Sequence, residues 1–152
     1  MLIQQLNRTD AEKIQLVVKN VDGGGSITTG MGAALVQTGA SIDGISAVRS
    51  TAALWKGFIG VAQQDIAING FGLVTAWGYA NSVAISNVGS SITITAGDYL
   101  RPGAAAGTFF SGQAAGETLS TLLYRSVVVA NTTPNALSAV ADSYHAGFVR
   151  GL

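Results

Sequence analysis

Few residues in this chain could carry acid–base or nucleophilic chemistry. The single histidine, His145, follows Asp142 by three residues and Tyr144 by one. A general base needs a partner held within hydrogen-bond reach, and this spacing at a strand entry gives no such arrangement special support. The eight acids are Asp10, Glu12, Asp22, Asp43, Asp65, Asp98, Glu117 and Asp142. They are scattered and mostly flank turn residues, where short carboxylates hydrogen-bond the local backbone; a pair sharing one cleft, as sugar hydrolysis requires, is not evident. Cysteine is absent, which excludes disulfides, thiolate metal sites and cysteine nucleophiles. One histidine leaves little room for a multi-histidine metal site. No calcium loop of the D-x-[DN]-x-[DN]-G type and no G-x-S-x-G elbow occur. In Gly30-Met-Gly32-Ala-Ala-Leu35, Leu35 stands where the third glycine of a dinucleotide loop belongs, and no G-x-x-x-x-G-K-[ST] run exists. The expectation is a protein without catalysis, without a cofactor and without a bound metal.

Binding chemistry is better represented. Trp55, Phe58, Phe71, Trp77 and Tyr79 fall within 25 residues. Such a set could stack on sugars, fill a core, or anchor an interface, since Trp and Tyr are enriched at interface centres. In Phe71–Tyr79 strand periodicity puts Phe71, Leu73, Thr75, Trp77 and Tyr79 on one face. The other candidate contact region is the amino terminus, where Leu2, Ile3, Leu6 and Arg8 lie in a polar stretch. Residues 1–12 are read as an arm or extension, and 13–152 as a single β-rich domain. The candidate interface residues are therefore Leu2, Ile3, Leu6, Arg8, Trp55, Phe71, Trp77 and Tyr79.

Composition sets the context for these residues. The chain has 152 residues, eight basic and eight acidic side chains, and only 11% charged residues, against a usual ~25%. Zero net charge gives no electrostatic reason to expect nucleic acid or an anionic membrane as partner. Twenty glycines, 13 serines and 13 threonines make it small and uncharged, yet 48% hydrophobic, which is not a disordered composition. A surface so poor in charge leaves two readings open: a small secreted or glycine-rich β domain, and a protein largely covered by neighbours in an assembly. The first residues lack a basic region followed by an apolar run, so no secretory leader is expected, and no apolar run reaches 18 residues. Two Asn-x-Thr sequons, at Asn7 and Asn131, then have no secretory meaning.

The elements that would position these residues read as short strands. Lys13–Val21 alternates as a strand and breaks at Asp22-Gly-Gly-Gly-Ser26. Ile27–Gln37 reads as a strand after a glycine turn. Ser41–Val48 is open between a short helix and an irregular segment. Ala52–Ala62 looks like one buried strand, with Gly57 and Gly60 marking a bulge or a close backbone. Asn69-Gly70 is the strongest turn signal, followed by Phe71–Tyr79 as a strand. Ser82–Ser86, Ser91–Thr95 and Asp98–Leu100 are further strands, and Arg101-Pro-Gly103 a turn. Ala104–Gly116 is a small-residue loop; Leu119–Ala130 begins as a helical turn and ends as a strand; Tyr144–Leu152 is a terminal strand. Many short strands with little helical periodicity argue for an all-β protein with at most short helices, a compact sandwich or barrel-like domain.

Several of these segments resemble tailed-bacteriophage head decoration (cement) proteins. The stretch Gly57-Phe-Ile-Gly-Val-Ala-Gln-Gln-Asp-Ile-Ala-Ile-Asn-Gly-Phe-Gly-Leu-Val-Thr-Ala-Trp-Gly-Tyr-Ala80 is similar to their strand, glycine turn, and strand ending in glycine plus an aromatic. Thr95-Ala-Gly-Asp-Tyr-Leu-Arg-Pro-Gly103 and Gly147-Phe-Val-Arg-Gly-Leu152 resemble two of their shorter elements. The likeness covers residues 13–103 and 144–152 and rests on structural glycines, which other phage virion proteins, tail and fibre modules included, share. It implies a structural virion protein on the capsid surface, assembled in the host cytoplasm, with the major capsid protein and copies of itself, as a homotrimer, for partners. The alternative is a receptor- or glycan-binding module of a phage tail or fibre; an exposed aromatic strip would favour that, aromatics buried in a core or seam the decoration reading.

Overall fold

A computed structural model describes residues 13–36, 39, 43–85, 92–94, 97, 99–103, 106–111, 126–129, 135–137 and 143–151. At Trp55, 92–94, 109–111, 126, 128, 129, 135–137, 143–145 and 150 it describes the backbone only. The protein is all-β, as expected. Eleven strands are described: β1 (Ile14–Asn20), β2 (Gly32–Leu35), β3 (Ser46–Arg49), β4 (Phe58–Ala62), β5 (Phe71–Ile85), β6 (Ile92–Ile94), β7 (Tyr99–Pro102), β8 (Phe109–Ser111), β9 (Ser126–Val129), β10 (Asn135–Leu137) and β11 (Ser143–Arg150). Among the described residues one 3-10 turn, Trp55–Gly57, precedes β4.

Five strands close on themselves in the order β1-β3-β2-β4-β5, with β5 returning to β1. Closure supplies each of these strands with two neighbours, so the ring has few unpaired edges. The β1–β5 pair runs antiparallel from Lys19↔Phe71 to Ile14↔Trp77, with a bulge between Ile14 and Gln15. β1 and β3 are parallel, paired only at Lys19↔Ser46 and Asn20↔Ala47. Alternation along β1, β4 and β5 sends Val18, Ala62 and Val74 inward, where they pack with Ile27, Ala33, Ala47, Ile59 and Ile66 as the barrel core.

β5 outruns the barrel. Its carboxyl half pairs with β11 from Arg150↔Trp77 to Ser143↔Ile85, and β11, β9, β7 and β8 continue the sheet. β8 touches back at Ile85↔Phe109. This half has its own core of Phe58, Val61, Ala80, Val83, Ile85, Leu100, Val127 and Val149. Directly opposed residues of an antiparallel pair share a face, so the β4–β5 ribbon feeds both cores. Ala62 and Val74 face the barrel, whereas Val61, opposite Thr75, faces the second cluster. β6 and β10 form a separate pair.

Local readings differ from the structure in instructive ways. Phe71–Tyr79 and the described part of Ser82–Ser86, 82–85, belong to one 15-residue strand. Between Gly147↔Ala80 and His145↔Val83, β5 carries two residues against one on β11, and such a bulge turns a strand without ending it. Ala52–Ala62 is not all strand. Gly57 N donates to Leu54 O and Leu54 N to Thr51 O, so turns occupy its first half; an apolar run alone does not distinguish these from strand. Of Ile27–Gln37, described as far as Val36, only β2 is strand, with Ile27 in a single bridge to Ile66. The described part of Ser41–Val48, 43–48, opens with a bend closed by Asp43, whose Oδ1 accepts from Ile45 N and Ser46 N, and leads into β3. Arg101 and Pro102 end β7 rather than turn, since proline is tolerated at a strand end; Gly103 N then donates to Thr108 O. β8 emerges from the expected Ala104–Gly116 loop.

The expected close approach at Gly60 is present. Its φ is +153°, and a Cβ there would lie 2.1 Å from the Thr75 carbonyl oxygen. β2 and β4 also slip by one residue beside it, between Ala33↔Gly60 and Ala34↔Phe58.

Candidate functional site

Three acids occupy structural posts. Asp22 closes the loop after β1: Oδ1 accepts from Gly24 N at 2.8 Å, and Oδ2 accepts from Arg49 Nε at 2.8 Å and Arg49 N at 3.1 Å. The Arg49 hydrogen bond is the main reason the Asp22 carboxyl lies below its ordinary pKa, against a smaller opposing effect of burial. Fully buried Asn20 braces the same corner, donating to Ile66 O and Gly25 O and accepting from Asp22 N. Asp43 is lowered first by the Ser46 backbone N–H. Asp65 is lowered first by the Thr29 backbone N–H; its Oδ1 accepts from Thr29 N at 2.7 Å and Thr29 Oγ1 at 3.0 Å. All three carboxylates are thus engaged in loops, each about its own corner. Among the described residues no three of His, Asp and Glu gather into a possible metal set. Nor is any described helix long and apolar enough to cross a membrane.

The distinctive surface lies on the outer face of the β1–β5 ribbon. Val17 opposes Leu73 and Lys19 opposes Phe71, so these four share a face. Val17 is 59% exposed, Phe71 61% and Leu73 36%. Ile45 and Ile68 are also exposed. They sit beside this end of the ribbon, because Lys19 N donates to Ile45 O and Asn69 N to Asn20 O. Lys19 Nζ stands 6.0 Å from the Phe71 ring centroid, and Lys13 Nζ 5.9 Å from that of Tyr79, the range of cation–π attraction.

The expected interface residues distribute as follows. Phe71, Trp77 and Tyr79 come to this face, but of the three only Phe71 is exposed. Trp77 and Tyr79 are half-buried, and Trp77 meets Phe148 edge-on at 5.4 Å and 85°, a favourable ring geometry. Trp55 is placed on the 3-10 turn, its side chain outside the description. Leu2, Ile3, Leu6 and Arg8 lie outside the described residues, as do Asp142 and the His145 side chain. Phe58, one of the aromatic set weighed as a sugar platform, is fully buried in the second core. Val17 and Leu73 were missed as contact residues. Their signal is the alternation itself, which sets Val17 among Lys13, Gln15 and Lys19 on the polar side of β1, where an apolar residue needs a reason.

Comparison with known proteins finds no matching family model, no matching curated protein and no matching solved structure.

Proposed function

We propose that this chain is a structural virion protein that binds the outside of a phage capsid, as a homotrimer, and stabilises the shell by bridging major capsid protein subunits. The observation that carries the reading is the bare apolar face of Val17, Leu73 and Phe71 on a closed, glycine-rich barrel. Exposed apolar side chains grouped on a rigid strand ribbon mark a surface that another protein covers. The low charge of the chain and the engagement of the described carboxylates in loops fit a scaffold without a catalytic step. The sequence resemblance to head decoration proteins supplies the partner. Cementing acts by mass action: a protein that binds only the assembled lattice stabilises it, and many weak contacts in one lattice add up.

The alternative, a receptor- or glycan-binding module of a tail or fibre, draws on the exposure of Phe71. A sugar platform uses several open rings, whereas here Phe71 is bordered by the aliphatic Val17 and Leu73 and the Trp77 ring is engaged by Phe148. Mixed aliphatic and aromatic exposure suits a protein partner better. Quantitative mass spectrometry of gradient-purified particles tests the proposal. A copy number equal to the major shell subunit, or a simple fraction of it, is expected. A few copies per particle would transfer the chain to the tail or fibre, and absence from particles would remove both readings.

A further inference from the structure

The barrel ring has one gap. Backbone groups of alternate strand residues point to opposite sides. In β1, Lys19 N donates toward β3, to Ile45 O, whereas Asn20 N donates toward β5, to Gly70 O. By this alternation the amides and carbonyls of Gln15 and Val17 also point away from β5. β3 pairs only at Lys19 and Asn20, so among the described residues no strand meets Gln15 and Val17 on that side. This open edge borders the exposed Val17 and Leu73. The described cations of the face are Lys13 and Lys19, and the described carboxylates Asp22, Asp43 and Asp65 are taken up by hydrogen bonds of their own loops.

An occupant therefore needs extended backbone, apolar side chains on alternate positions, and acidic groups. The first twelve residues of this chain carry them: at strand periodicity Leu2, Leu6, Asp10 and Glu12 share one side, with Arg8 the only cation. Extended, twelve residues reach about 40 Å, far beyond the stretch of β1 from Ile14 to Val18 that β3 leaves unpaired. Folding back onto the β1 they enter would need a tight hairpin at Asp10-Ala11-Glu12, which has no glycine or asparagine to take the positive φ that two-residue loops demand.

We propose that residues 1–12 of one copy add as a strand to the open β1 edge of a neighbouring copy, with Leu2 and Leu6 extending the apolar face outward from Val17. Edge addition gains backbone hydrogen bonds, and the alternate side chains set the partner. Passed head to tail, such arms close a ring. This deepens the proposed function by naming what joins the copies, and it rests on the self-association in that reading.

The absence of cysteine from the sequence gives a clean background for a test. Leu6→Cys chains are mixed with mass-tagged Val17→Cys chains and oxidised; Gln4→Cys and Arg8→Cys cover neighbouring registers, and Ala53→Cys, exposed on the turn before β4, replaces Val17→Cys as the control. A disulfide-linked pair of unlike chains with Val17→Cys, at least tenfold above the Ala53→Cys control, is expected. No cross-link from any arm position, an equal yield with the control, or closure within single L6C/V17C chains at high dilution would overturn the proposal. The cross-link is read on isolated protein, so its failure is distinct from a failed particle count.

Discussion

The outward side of β5 changes character along its length. Around Thr75 it is covered: Val61 beside it is fully buried, the second core lies against the ribbon, and Thr75 itself is inaccessible. Two residues toward the amino terminus, Leu73 is 36% exposed, and at Phe71 exposure reaches 61%. Strand, pleat and alternation are the same in both stretches; the difference is whether the rest of the chain supplies a covering layer. β4, β11 and the strands beyond it cover the first stretch, and no described element covers the second. The comparison teaches that pleat and alternation do not decide burial on this ribbon: the second stretch is bare because no described element packs on it.

The covered stretch breaks most readily at its closest approach. Gly60→Ala would put a methyl group 2.1 Å from the Thr75 carbonyl, where neither backbone can retreat without opening the β4–β5 pair. We expect a loss above ~4 kcal/mol, among the most severe point changes, seen as failure to give a cooperative melt. Phe58→Ala empties the centre of the second core and should cost about 3–5 kcal/mol, measured by urea unfolding. Separate melting of the two halves in that variant would show that the shared ribbon does not couple them.

The loop carboxylates should set an acid limit. Asp22, Asp43 and Asp65 all lie below their ordinary value of 3.8 in the folded chain. Their contribution is therefore fully present above that value and is lost as pH falls through the lower folded values. Thermal midpoints should drop below about pH 4, and Asp22→Asn should flatten part of that drop while costing ~1 kcal/mol at neutral pH, a solvent-screened pair being worth little more. A smaller change sharpens the junction. Thr75 Oγ1 is buried with no hydrogen-bond partner among the described residues, so Thr75→Val, which keeps the shape, should raise stability by about 1 kcal/mol.

The fold class was legible because glycine and turn chemistry punctuate the strands. Asn69 takes φ 62° at the turn before β5, and Gly60 sits against a neighbouring backbone. Barrel closure was not legible, since the short β1–β3 pairing joins segments whose periodicity is too brief to signal a neighbour. The continuity of β5 through Ala80-Asn81-Ser82 was hidden because polar residues at a bulge look the same as those of a turn. Of the candidate surface, the Phe71–Tyr79 face could be read by period two, but its division into covered and bare stretches depends on β11 and β9, which pack from distant sequence. Val17 escaped notice for the same reason: exposure is decided by what the fold leaves uncovered.

The most direct test compares the solution mass of the full chain with that of a Val17→Ser/Phe71→Ser variant by light scattering. Both residues are mostly exposed, so the folded monomer should lose no more than about 0.5 kcal/mol per site. If the bare stretch joins copies, the parent chain is an oligomer, a trimer on the proposed function, and the variant a monomer with an unchanged circular dichroism spectrum. A monomeric parent chain, or a variant of the same oligomeric mass as its parent, would contradict it.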